Sequence, residues 1–229
     1  MESYRALGEE NYKFLRERCP HLLKELKGFS DHLSDIFEKV TLGRRGAANE
    51  SCLSRVLLLV ALPQASFLWP CLLLGGIPNA YYTLRTILEA IGLAVYADIA
   101  EEYRSLSLNS KIEELRETSL LKITSALSPV LKKVYPEEVC EEIVESIREV
   151  YGELSSLVHP FAIAGLGGIL KANLQALRGE GRLPPYGPRP PLYEEGDLKD
   201  LKRLYDCLMK VKEIINYLIE AWSKLSLEA

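Results

Sequence analysis

The chain has 229 residues, 48% hydrophobic and 26% charged, a balance that excludes wholesale disorder and requires one substantial core. Its 32 acidic against 28 basic residues give a net charge of −4, which excludes a global basic field, so any nucleic-acid role must rest on local patches. Cys19, Cys52, Cys71, Cys140 and Cys207 stand far apart with no CxxC pair, a spacing that argues against structural zinc and predicts reduced, mostly buried thiols in a cytoplasmic protein.

The opening stretch MESYRALGEENYKFLRERC is charged throughout, so no secretory leader is expected. Over residues 2–43, Leu15, Leu22, Leu23, Leu26, Leu33, Ile36, Phe37 and Val40 recur at helical intervals. The interruption at Cys19-Pro20 predicts two helices, or one that breaks, with Pro20 in the first turn of the second. Gly43-Arg44-Arg45-Gly46 then forms a small basic loop. From Val56 to Leu84 there is no Asp, Glu, Lys or Arg, a run long enough to rival a membrane span. Pro63, Pro70, Gly75, Gly76 and Pro78 divide it into pieces of about a dozen residues, so the expectation is one or two central helices buried on most sides, and no membrane.

A long helix is predicted over 79–103, with Gly92 inside it permitting close packing. Ser110 and Glu113 match a capping box opening SKIEELRETSLLKITSAL, a helix that Pro129 disturbs before its end near Tyr135. Pro136-Glu137-Glu138 starts the next helix, which His159-Pro160 stops after Val158. A turn at Gly165, Gly167 and Gly168 leads to a short helix over 169–177. Residues 179–197 hold five prolines and four glycines. They predict a surface arm whose Arg182 and Arg189 could meet a partner or phosphate, or else a loop that tethers the last helix, 198–226. No segment alternates with period two for long. The fold class is therefore all-α: a helical bundle in a single domain, 1–229, with its core in about 50–178 and 197–226 and a Pro/Gly-rich loop at 179–196.

Two otherwise apolar helices each carry a polar stripe. Arg85 and Glu89 are one turn apart in NAYYTLRTILEAIG; Tyr151, Ser155 and His159 line one face of YGELSSLVHP. A buried arginine requires a partner, and Glu89 is the nearest candidate on its helix. His159 at a helix end is placed to cap carbonyls or to act as a base. If the two faces meet, they make a site.

The pattern LRTILEA followed some way on by YGELSSLVHP resembles the helical HEPN superfamily and related prokaryotic proteins, which pair an Arg-x-x-x-Glu helix with a Ser-x-x-x-His helix end. The resemblance covers about residues 77–165. It implies a HEPN-like bundle, a homodimer with the motif helices near the interface, no cofactor, and metal-independent RNA cleavage by a histidine and an arginine. In nuclease members an arginine and a polar residue stand a few positions before the histidine; here Leu154-Ser155 occupies that place. The resemblance therefore implies a site in which Arg85 supplies the positive charge, His159 is the base, Glu89 orients one of them, and Tyr151 and Ser155 contribute to binding RNA or nucleotide. The alternative is a non-enzymatic helical interaction protein, in which these residues hold helices together and the 179–196 arm contacts a protein partner.

Overall fold

Proline and glycine set the joints of this chain, and between them the 3.6-residue spacing of apolar side chains decides which helix face turns inward. The computed structural model describes residues 2–42, 51–158 and 192–227, and every regular element among them is helical. The basic loop expected at 43–46, the short helix expected at 169–177 and the part of the expected arm up to residue 191 lie outside the described residues.

Helices α1 (Glu2–Arg18) and α2 (Pro20–Leu42) meet at Cys19, as the sequence predicts. Pro20 takes the first helical position, where its missing N–H leaves no bond unmade. Leu22, Leu26, Phe29, Leu33, Ile36 and Val40 of α2 are all buried.

The charge-free run departs from expectation in two ways. Gly75 and Gly76 divide it as expected, but its part up to Leu73 lies in one uninterrupted helical rod, Cys52–Leu73, made of α3 (Cys52–Val56), a π turn (Leu57–Ala61) and α4 (Leu62–Leu73). Neither Pro63 nor Pro70 divides it. In a regular helix the Pro63 ring would meet the carbonyl four residues back, and the wider π turn lies in the turn that must make room. Nor is the rod buried on most sides, since only 33% of its 18-residue apolar window is covered. Among the described residues it is the one helical stretch long and apolar enough to cross a membrane by length and composition. The rod ends where Gly75 turns to φ 76° and the Gly76 N–H donates to the Cys71 carbonyl at 2.7 Å, a left-handed termination that favours glycine.

Helix α5 (Ile77–Ile99) follows at once and is shorter at its end than predicted. Ala100 leaves helical geometry at ψ 136°, and Glu101–Arg104 is a separate short helix, α6. The expected capping box is displaced: Ser107, not Ser110, caps α7 (Leu108–Leu115) by accepting from the Ser110 N–H. A further break puts α8 at Leu120–Leu131, so the single helix expected from Ser110 onward is two, the second opened by extended backbone at Ser119. Helix α9 (Glu137–Val158) matches its start signal, and α10 (Leu198–Leu227), after a 3-10 turn at Glu195–Asp197, matches the last predicted helix.

Helix α5 is the axis of the bundle. It packs on α3, α4, α8, α9 and α10, and most of its residues from Ile91 to Ile99 are buried. Gly92 lets α8 approach, since a Cβ there would lie 2.5 Å from a methyl of Leu120. Helix α2 closes the far side, bridging α4 and α10. The end of the predicted arm is a fastening point rather than a free segment. Buried Tyr193 donates its hydroxyl to the Leu72 carbonyl at 2.7 Å and its N–H to Asn11, which in turn donates to the Leu73 carbonyl at 3.0 Å.

Candidate functional site

Helix periodicity puts Tyr82, Arg85, Thr86, Glu89, Ala90 and Leu93 on one face of α5, and this is the face that reaches solvent. Helices α4 and α9 both pack on α5 but little, if at all, on each other, so the face opens into the gap between them.

On the α9 side, the two polar stripes meet. Arg85 and Glu89 form no direct ion pair; the Tyr151 hydroxyl stands between them. Arg85 Nη2 donates to that hydroxyl at 2.8 Å, and the hydroxyl donates to Glu89 Oε1 at 2.9 Å. The guanidinium also lies over the Tyr151 ring, with Cζ 4.7 Å from its centroid. This geometry combines a cation–π contact with a charge-assisted hydrogen bond. Tyr151 is 4% exposed, while Arg85 and Glu89 are half-buried. Burial pushes the Tyr151 phenol above its ordinary range; the Glu89 carboxylate adds to this and Arg85 opposes it. The phenol therefore stays protonated near neutral pH and relays polarity between the two charges.

Ser155 lies one turn further on, but its hydroxyl proton is committed to the Tyr151 carbonyl at 2.6 Å. What it still offers a ligand is acceptor capacity. His159 lies outside the described residues. Of the five predicted residues, the structure brings Arg85, Tyr151 and Glu89 into one hydrogen-bonded relay and leaves Ser155 beside it.

The arrangement can neutralise an anion. One guanidinium edge holds Tyr151, and the remaining donors of a half-buried arginine suit a phosphate or carboxylate oxygen. Beside this, a groove of about 650 Å³ between α8 and α9 is lined by Ser125, Ser128, Glu141, Glu142, Glu145 and Arg148. Its acidic lining repels phosphate, and it does not contain the relay.

A second polar centre escaped sequence reasoning. The buried Asp98 carboxylate accepts from Ser51 Oγ at 2.7 Å, the N–H groups of Cys52 and Leu53 at 3.0 and 3.1 Å, Lys111 Nζ at 3.1 Å and Trp222 Nε1 at 3.0 Å. It caps the N-terminus of α3 from a distance and ties together α3, α5, α7 and α10. Its signal in the sequence is that it is the lone charge between Glu89 and Glu101; the donors, 13 to 124 residues away, could not be named. The adjoining Cys52 thiol is pushed up to about 11 by burial and then by the Asp98 charge, and burial pushes Cys207 up to about 12. Neither supplies a thiolate nucleophile near neutral pH. No group of metal-binding side chains occurs among the described residues.

The fold and relay define an all-α bundle with a polar site on its axial helix. No family model, curated protein or solved structure matches the chain.

Proposed function

We propose that this is a HEPN-like helical protein of the cytoplasm that binds RNA or nucleotide beside Arg85, Tyr151 and Glu89, and that it is an atypical metal-independent ribonuclease acting in stress or defence. The observation that carries this reading is the meeting of the two stripes through the Tyr151 hydroxyl, with a half-buried guanidinium left facing the gap. His159 takes the proton from a ribose 2′-hydroxyl, whose oxygen attacks the adjacent phosphorus. Arg85 neutralises the charge that builds on the phosphorane; the bond from phosphorus to the 5′-oxygen then breaks, that oxygen takes a proton from water, and a 2′,3′-cyclic phosphate and a 5′-hydroxyl are left. Glu89 and Tyr151 hold Arg85 in place.

A second reading is favoured by one observation: the donors of Arg85 and Ser155 are turned, at least in part, onto Tyr151 itself. In that reading the relay fastens α9 to α5, and the protein acts by contact with a protein partner, the 179–196 arm being the predicted contact. Cleavage of a mixed RNA pool in EDTA, with thermal melts, separates the two. The enzymatic reading expects His159→Ala and Arg85→Ala to lose about 10²-fold or more in rate with melting temperature nearly unchanged. Absence of cleavage and RNA binding by the unsubstituted protein, with Arg85→Ala melting well below it, supports the fastening instead.

A further inference from the structure

Large apolar side chains standing in water cost free energy that a second surface can recover. On the Cys52–Leu73 rod, Leu59 is 67% exposed and Phe67 53%, and Leu74, just past its end, is exposed as well. Exposed Pro63 and Pro70 fill the intervals, so positions 59, 63, 67, 70 and 74 follow one helix face. Beside them Ser66 donates its hydroxyl to the Leu62 carbonyl at 3.0 Å, which keeps that donor off the surface. The opposite face is closed: Leu57, Ala61, Ala65, Leu68 and Leu72 are buried, and the rod packs on α2 and α5. Arg85 and Glu89 are turned onto Tyr151 of α9 and form no part of the exposed stripe.

Width and rim decide the occupant. At a rise of ~1.5 Å per residue and a helix diameter of ~10 Å, the stripe covers roughly 24 Å by 10 Å, short of the ~800 Å² that each partner buries in a standard protein interface. A bilayer sets no such threshold, because a single helix binds it by sinking an apolar face to the headgroup boundary. The rim matches that boundary. Arg55, one turn before Leu59, is exposed and forms no ion pair among the described residues. Lys27, also exposed, holds its Nζ 5.0 Å from the Trp69 ring centroid and 6.0 Å from that of Tyr12, and Tyr82 on the adjoining α5 is 56% exposed. Indole and phenol rings gather at the membrane–water interface, where long cationic side chains reach lipid phosphates. The two grounds on which the sequence pointed away from lipid, division by Pro63 and Pro70 and burial on most sides, are both lost in the rod. We propose that the outward face of the rod rests on a phospholipid bilayer, with Leu59 and Phe67 at the acyl boundary and Arg55 and Lys27 level with the phosphates. The rod lies along the surface and does not cross it, since its other face is fixed in the bundle. The inference uses none of the residues of the proposed RNA site.

Flotation of the full chain with phosphatidylcholine vesicles, with and without phosphatidylserine, tests it. The unsubstituted protein is expected to float with both. Leu59→Glu and Phe67→Glu are each expected to lower the partition coefficient by about thirty-fold or more, while far-ultraviolet circular dichroism keeps its helical signal. Phe67→Ser serves if a glutamate variant fails to fold. Arg55→Gln is expected to lower partitioning about fivefold on vesicles containing phosphatidylserine and little on phosphatidylcholine alone. Leu121→Glu changes an exposed leucine on α8, which packs on α5 and α9, and is expected to leave flotation unchanged. Absence of flotation by the unsubstituted protein overturns the proposal, as does flotation that the rod substitutions leave intact or that Leu121→Glu abolishes equally. A dimer in solution that the rod variants dissociate, with no flotation, gives the face to a second copy and also overturns it.

Discussion

Five donors converge on one carboxylate at Asp98, and one of them, Lys111, is a cation as deeply buried as the acid it meets. Removing the acid leaves that ammonium without its counter-charge. Asp98→Ala is therefore expected to lower unfolding free energy by about 3–5 kcal/mol in urea melts, and replacing Lys111 with methionine in the same chain should restore part of the loss. A loss within 1 kcal/mol in the single variant would show that the cluster is not a stabilising centre. His32 presents a different residue-scale effect. Burial lowers its pKa, with Lys212 acting in the same direction and Asn216 and Asp35 against it. Because the folded value lies below the unfolded one, the unfolded chain binds more protons as pH falls through about 6.5. Stability from this residue is full above that pH and declines below it. Melting temperature should accordingly fall between pH 7 and 5 less steeply in His32→Asn than in the parent; equal slopes would refute the assignment.

At the scale of helices, the sequence was legible wherever a local signal sufficed. Pro20 and Pro136 start helices where their missing N–H is harmless, and the apolar stripes of α2 and α10 name their own buried faces. It misled where tertiary geometry overrode the local rule. Pro63 and Pro70 read as breaks, yet a π turn and packing against α2 and α5 carry the helix through them. The candidate site was legible as two stripes, because spacing alone aligns Arg85 with Glu89 and Tyr151 with Ser155. That Tyr151 would stand between Arg85 and Glu89 depends on how α9 crosses α5, and spacing within one helix says nothing about that. Glycines inside helices give the clearest test of packing. At Gly92 an added Cβ meets Leu120, itself fully buried, so Gly92→Ala should cost about 1–2 kcal/mol even after the helix gains propensity. At Gly152 nothing lies within 4 Å, and alanine there should stabilise by roughly 0.5–1 kcal/mol. Denaturant melts of the two variants should move in opposite directions; a shared sign would mean that the close approach of α8 to α5 is wrong.

Across the whole molecule, the helix that does most to enclose α5 is the last of the described elements in the chain. Tyr81 reaches the Asp200 carbonyl 119 residues ahead, Trp222 returns to Asp98 over 124, and Lys212 pairs with Glu25 over 187. Many helical bundles draw their contacts from near neighbours and close quickly; these pairings instead join residues far apart in the chain, whose loop-closure entropy must be paid before the contacts form. During synthesis, which adds about 5–20 residues each second, α5 must therefore wait through the translation of more than a hundred further codons before its wall exists. Until α10 has left the ribosome, the nascent chain holds an unshielded leucine-rich surface together with a carboxylate at Asp98 that lacks its indole partner. For this protein, the interval between the synthesis of α5 and the emergence of α10 is when chaperones have the most exposed surface to hold.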